Sequence, residues 1–198
     1  MTIETAEVPG YIAGTWNIDS IHSYVGFVVK HLMVSNLRGY FTAFDGEIVT
    51  AEDDPLRSSV VATIDLTSVD TGNKQRDEHV RAAFFETDTY PTMTFRSTGI
   101  RRAGDGYALD GELTLKDVTR PISLELEVNG FAPDPFAPDP ETGARAGFTA
   151  TGEINRTDFG VIDNGPVPGG GAIIVGEKVK IVLEIEAVLR TETADRRG

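Results

Sequence analysis

Cysteine is missing from all 198 residues of the chain. Disulfides, thiol nucleophiles, cysteine-bound zinc and iron–sulfur clusters are therefore excluded as sources of stability or chemistry. Positive charge is scarce: eighteen Lys and Arg face thirty-one Asp and Glu, for a net charge of −13. A surface this acidic repels phosphate backbones and anionic bilayers, so neither nucleic acid nor stable membrane insertion is expected. No stretch reaches the roughly 18 apolar residues of a spanning helix. Met1 to Gly14 has neither a positive n-region nor an apolar run of signal-peptide length, and the expectation is a soluble, cytoplasmic protein.

What the chain has instead is period-two alternation. It is cleanest in Ile122-Ser123-Leu124-Glu125-Leu126-Glu127-Val128, and it recurs over Val179–Ala187 and Tyr107–Leu115. Each is a strand with one wet face. Weaker alternation predicts strands at about Ser23–Leu32, Gly39–Val49, Ser58–Leu66, Thr92–Ile100 and Gly147–Ile154, with a short opening piece at Thr15–Ile18. Strands of this kind at hairpin spacing predict an all-β antiparallel meander of about eight strands, closed into a barrel or folded into a sandwich.

Two segments break the rhythm. Gly72–Phe85 has the pattern of a short amphipathic helix on a barrel mouth or sheet edge, and Thr157–Ile162 that of a single helical turn. Phe131–Pro140 is a tandem FAPDPFAPDP whose prolines deny donors to a ladder, which predicts an extended excursion between two strands. Asn164–Gly171 (NGPVPGGG) is a second loop. No linker separates two cores, so residues 1–13 are expected as an N-terminal extension, 14–190 as one barrel domain and 191–198 as a frayed tail.

With the alternating residues turned inward, the interior is furnished by Phe27, Val29, Ile64, Met93, Phe95, Leu109, Leu113, Leu124, Leu126, Phe148, Ile154, Ile181 and Leu183. None of these does acid–base chemistry. Small residues share their parity: Ala62, Gly111, Ala150 and Gly152. They leave volume for a lumen, or they face large neighbours across the barrel or mark bulges and bends; the pattern supports both. Strands of about ten residues at a rise of ~3.3 Å and a tilt of ~40° enclose a lumen about 25 Å tall.

The residue types of reaction centres do not assemble. His22, His31 and His79 are the only histidines. If the first two share one strand, their odd separation sends them to opposite faces, so no metal site is expected. His22 is read instead as a turn cap after Asp19, His31 as a strand-end hydrogen bonder and His79 as solvated on the helix. Asp19, His22 and Ser23 have the side chains of a hydrolase triad, but no strained nucleophile turn accompanies them. Gly169–Gly171 lacks the lysine and hydroxyl of a phosphate loop.

Several strings taken in order resemble the YceI-like, polyisoprenoid-binding family. They are Trp16–Asp19 with His22-Ser23, Phe27–Leu32, Arg38–Phe41 with Phe44–Gly46, Asn73–His79 with Phe84-Phe85, Tyr90-Pro91, Phe95–Ser97, Gly111–Leu115 with Val118-Thr119 and Pro121, and Asn155–Gly160. The resemblance spans Gly14 to about Leu189. It implies a lipocalin-like eight-stranded barrel, often dimeric, whose lumen holds a long apolar isoprenoid or related amphiphile. Many relatives carry an export signal; this chain departs from them there and in the FAPDP duplication.

The expected function is thus a binding or carrier protein without enzymatic activity, needing no cofactor beyond a bound polyisoprenoid or quinone-like lipid. The ligand contacts are the inward residues together with Phe44 and Phe159. Net charge argues for a neutral or quinone-type head over a pyrophosphate, unless Arg38, Arg76, Arg81 or Arg156 gathers at the mouth. The alternatives are a lipid-directed isomerase or hydrolase using the same lumen, and a filled β-sandwich serving as an interaction module.

Overall fold

The structure, a computed structural model, describes residues 8–104, 106–139, 142–163 and 174–191. The expected loop at Asn164–Gly171 and most of the expected tail lie outside the described residues. Strands β1 (Gly14–Ile18), β2 (Tyr24–His31), β3 (Ser35–Phe41), β4 (Phe44–Thr50), β5 (Ser59–Asp65), β6 (Val69–Asp70), β7 (Thr92–Ala103), β8 (Gly106–Leu115), β9 (Val118–Pro133), β10 (Ala144–Asn155) and β11 (Val175–Leu189) form one antiparallel sheet. It closes because β11 pairs with β10 on one side and with both β1 and β2 on the other.

The first three barrel strands are each broken in two. β1 and β2 share one position against β11; β3 and β4 share the next, pairing with β2 and β1; β5 and β6 share the third. The result is a closed eight-stranded barrel. Gly39–Val49, expected as one strand, is interrupted at Thr42-Ala43. Each break is marked by a change of parity. Inward residues are even-numbered in β1 (Trp16, Ile18), β4 (Phe44, Ile48) and β5 (Val60, Ile64), but odd in β2 (Val25, Phe27, Val29), β3 (Leu37, Phe41) and β6 (Val69).

Hydroxyls stitch these breaks where the ladder lapses. Ser23 Oγ donates to the Glu186 carbonyl at 3.1 Å and accepts from the Glu186 amide at 2.9 Å. Ser68 Oγ accepts from the amides of Thr42 and Ala43 at 3.2 and 3.0 Å. Backbone groups freed by a bulge must find such partners, because leaving them unpaired in a half-buried sheet is costly.

The Phe131–Pro140 expectation is corrected at its start: Phe131–Pro133 complete β9, and Pro133 is tolerated because it is the last residue of the ladder. Phe131 packs edge-on to Tyr11, Trp16 and Phe148. The helix α1 (Lys74–His79) begins after Asn73, whose side chain accepts from the Arg76 amide, and continues as a π-helical turn over Val80–Phe85. Its seat is Thr71, which gives its amide and hydroxyl to the buried Asp77 carboxylate and accepts Arg76 Nε at 2.7 Å. The expected second turn is a 3-10 turn at Arg156–Phe159.

Candidate functional site: an apolar cavity through the barrel

The inward faces do not meet. They enclose a cavity of about 470 Å³, within the range of small-molecule sites. Every expected ligand contact except Phe159 lines it: Phe27, Val29, Phe44, Ile64, Met93, Phe95, Leu109, Leu113, Leu124, Leu126, Phe148, Ile154, Ile181 and Leu183. Phe159 is instead 2% exposed within the packed core, away from the cavity wall. The 3-10 turn that carries it turns its ring into protein rather than lumen. Sequence reasoning missed other wall residues, among them Val25, Ile48, Val60, Ile100 and Ile185. Extending the same parities through the broken strands would have found most of them.

The small residues are of two kinds, and the glycines are covered from adjacent strands rather than from across the barrel. A Cβ on Gly111 would stand 2.3 Å from the Phe95 ring, and one on Gly152 2.5 Å from Leu124 Cδ2, so those glycines are covered by large cross-strand neighbours. Ala62 and Ala150 do line the cavity. The alanines leave room on the cavity side, while the glycines let bulky neighbouring side chains lie over them.

Polar groups enter the lining only near the ends. At one end, residues 8–13 lie against the barrel. Val8 is buried, and Tyr11 donates its hydroxyl to the Ala51 carbonyl at 2.6 Å. Trp16 Nε1 donates to Thr50 Oγ1, which donates to the Ile12 carbonyl, and so ties this segment down. No periodicity in the sequence signals Val8 or Tyr11 as wall residues.

The other end carries α1, whose continuation supplies Val80, Phe84 and Phe85 to the wall, together with His31, Arg76, His79 and Arg156. His79 is exposed on the helix, as expected, and also pairs with Asp163 at 3.2 Å and stands edge-on to Phe84. Arg156 is buried and spends its guanidinium on the carbonyls of Val161, Asp163, Val175 and Gly176, over the face of Phe84. Burial lowers its pKa from the ordinary arginine value. Arg76 likewise donates to Thr71 Oγ1 and to the Thr71 carbonyl. Beside them a polar groove lined by Ser35, Asn36 and Arg38 shares His31, Leu37, Thr71 and Arg76 with the cavity, so the hollow reaches the surface between β3 and the helix.

The Asp19–His22–Ser23 group lies at the β1–β2 break, not on one strand, so the face argument for His22 and His31 lapses: a turn separates them. Asp19 accepts from the Ile21 amide and from His22 Nδ1 at 2.8 Å, as a turn cap does. Ser23 is committed to Glu186. Asp19, His22 and Glu186 bring ligand atoms within 4.8 Å of one another, but Arg145 Nη1 already bonds Asp19 and Glu186, at 2.8 and 2.5 Å. Burial alone would raise the Asp19 pKa; hydrogen bonds from His22, Arg145 and the Ile21 amide outweigh it and hold the carboxyl well below its ordinary range. The cluster is a guanidinium–carboxylate clamp on the wall's exterior, with Arg145 bonded to the oxygens a metal would need.

A hollow antiparallel barrel with this order of strings matches a known family: the sequence fits the YceI-like domain over residues 16–187. The chain belongs to the YceI-like family. It is 38% identical over 181 residues to Protein YceI of Escherichia coli O17:K52:H18, covering 89% of this chain and 88% of that one. A UPF0312 protein of Yersinia pestis is 36% identical over the same length and shares.

Among solved structures, Burkholderia cenocepacia BcnA superposes with a TM-score of 0.70 at 26% identity, covering 85% of this chain and 98% of that one. The Campylobacter jejuni YceI protein gives 0.66 at 27%, covering 82% and 90%. A polyisoprenoid binding domain from Saccharophagus degradans shares the fold at 0.63 and 18% identity, over 90% of this chain and all of that one.

Proposed function

We propose that the protein binds a long apolar chain of the isoprenoid type, with a neutral or quinone-type head, inside the barrel. The observation that carries this reading is the cavity itself: about 470 Å³ left open along a wall of Phe, Leu, Ile, Val and Met side chains. Close packing is the rule in protein interiors, so an unfilled apolar volume of this size is a stability loss that a guest offsets. Each methylene moved from water into such a wall is worth about 0.8 kcal/mol, so one five-carbon unit supplies roughly 4 kcal/mol before ordering costs. Affinity of that origin needs no polar motif.

The choice of head group follows from charge. The net −13 opposes an approaching pyrophosphate, and the donors of Arg156 are spent on backbone carbonyls at the rim. Arg38 and Arg76 line the groove beside the mouth, so two local cations oppose the field of the whole chain and the preference for a neutral head is one of degree. The polyisoprenoid binding domain from Saccharophagus degradans, which shares this fold, supports the same reading. Carriage, rather than turnover, is the role in which His31 and His79 at the mouth take no part in chemistry.

The test is mass spectrometry of an organic extract from protein purified without detergent. An apolar compound at close to one per chain is expected, with prenyl-spaced fragments. An extract without apolar compounds, from protein that also fails to retain added polyprenol, would overturn the proposal.

A further inference from the structure

The turn joining β2 to β3 is built against its surroundings. Leu32, Met33 and Val34 occupy it at 48, 59 and 82% exposure, three consecutive apolar side chains in water. The backbone is unfavourable as well: the Val34 amide bonds the His31 carbonyl, and Leu32 and Met33 hold φ of 49° and 59°, left-handed values that favour Asn and Gly. A second turn in the same barrel shows that this geometry does not require apolar residues. Between β8 and β9, Lys116 and Asp117 take φ of 51° and 61° with polar side chains.

Residues disfavoured by both solvent and backbone at an exposed tip serve something outside the fold. Their position says what. His31, at the base of the turn, lines the cavity, and the groove beside β3 opens from it. Among the described residues, β3 from Ser35 to Gly39 is paired only with β2. Ile162, 73% exposed, follows the 3-10 turn at the same end of the barrel. The charge changes locally too: Lys30–Arg38 (KHLMVSNLR) contains Lys30, His31 and Arg38 and no acid, in a chain of net −13. Arg38 is exposed, without an ion-pair partner among the described residues.

We propose that the β2–β3 tip is a wedge that docks the mouth of the cavity on a lipid bilayer. Leu32, Met33 and Val34 enter the hydrocarbon boundary while Lys30 and Arg38 meet the phosphate layer; the acidic remainder is held off, which orients the mouth toward the membrane. A protein partner would require roughly 800 Å² on each side, and a three-residue tip does not supply it. The purpose of docking, direct passage of a lipid chain between bilayer and barrel, rests on the function proposed above. The docking itself does not.

Flotation of the full-length, delipidated chain with mixed phosphatidylcholine–phosphatidylglycerol vesicles, no ligand added, tests it. The protein is expected to float with the vesicles. L32N/M33G, which installs the Asn-Gly pair preferred in this turn, is expected to melt no lower than the parent yet to bind vesicles at least about tenfold more weakly. V34E, outside the left-handed positions, is expected to lose flotation similarly. A parent that stays in the soluble fraction, or an L32N/M33G protein that floats as well as the parent, overturns the wedge. Either result leaves recovery of a bound lipid from the barrel, and hence the function proposed above, untouched.

Discussion

Arg145 carries more of the molecule's electrostatics than any pattern in the sequence suggests. Its guanidinium meets Asp19 and Glu186 through Nη1 and the almost fully buried Asp134 through Nε at 3.2 Å. Those hydrogen bonds, Asp19 first, raise its own pKa above the ordinary arginine value. Removing it strands a buried carboxylate, so Arg145→Met is expected to cost about 3 kcal/mol at neutral pH. Asp19 sets the pH dependence. Its folded pKa is depressed below the ordinary 3.8, so its contribution is complete above that value and is lost as the pH falls from there toward the folded pKa. Denaturant titrations across the acid range should show a steep loss in the parent and a flatter one in Arg145→Met. Equal slopes in the two proteins would contradict the clamp.

At the level of strands, the two kinds of small residue separate by substitution. Gly111→Val drives a side chain into the Phe95 ring and is expected to destabilise by about 2 kcal/mol. Ala150→Phe points into open cavity and is expected to leave stability unchanged or raised by up to about 1 kcal/mol while reducing the lipid the barrel retains. Thermal melts read beside lipid retention check both, and a destabilised Ala150→Phe would mean the space there is already filled. The same contrast shows what was legible beforehand. Strands with one wet face, such as Ile122–Val128 and Val179–Ala187, announce themselves by parity, because solvent on one side and hydrocarbon on the other impose it on every residue. Most of the cavity wall was legible for the same reason.

The remainder depended on contacts that alternation does not encode. The break at Thr42-Ala43 was written in the shift from Phe41 to Phe44, but a short run on either side masks such a shift. Phe159 was apolar and near the strands, yet its 3-10 turn aims it into packed core. Val8 and Tyr11 reach the wall from a segment with no period at all. The role of Arg156, four carbonyls beneath an aromatic ring, comes from chain crossings that its neighbours in sequence do not foretell.

For the molecule as a whole, the decisive property is that a closed eight-stranded sheet has been left hollow. Its exterior is acidic, and none of its described helices is long and apolar enough to cross a membrane. Its interior is hydrocarbon, reached between β3 and α1. The function proposed above follows from this shape: an apolar chain held apart from water and chosen by length and width, with charge acting at the rim. The measurement that tests this most directly is native mass spectrometry of the delipidated protein titrated with a long polyprenol, beside the Ala150→Phe variant. The hollow barrel predicts a saturable complex of one polyprenol per chain, weakened in the variant. Absence of a complex with the parent protein, or equal binding by both, would contradict it.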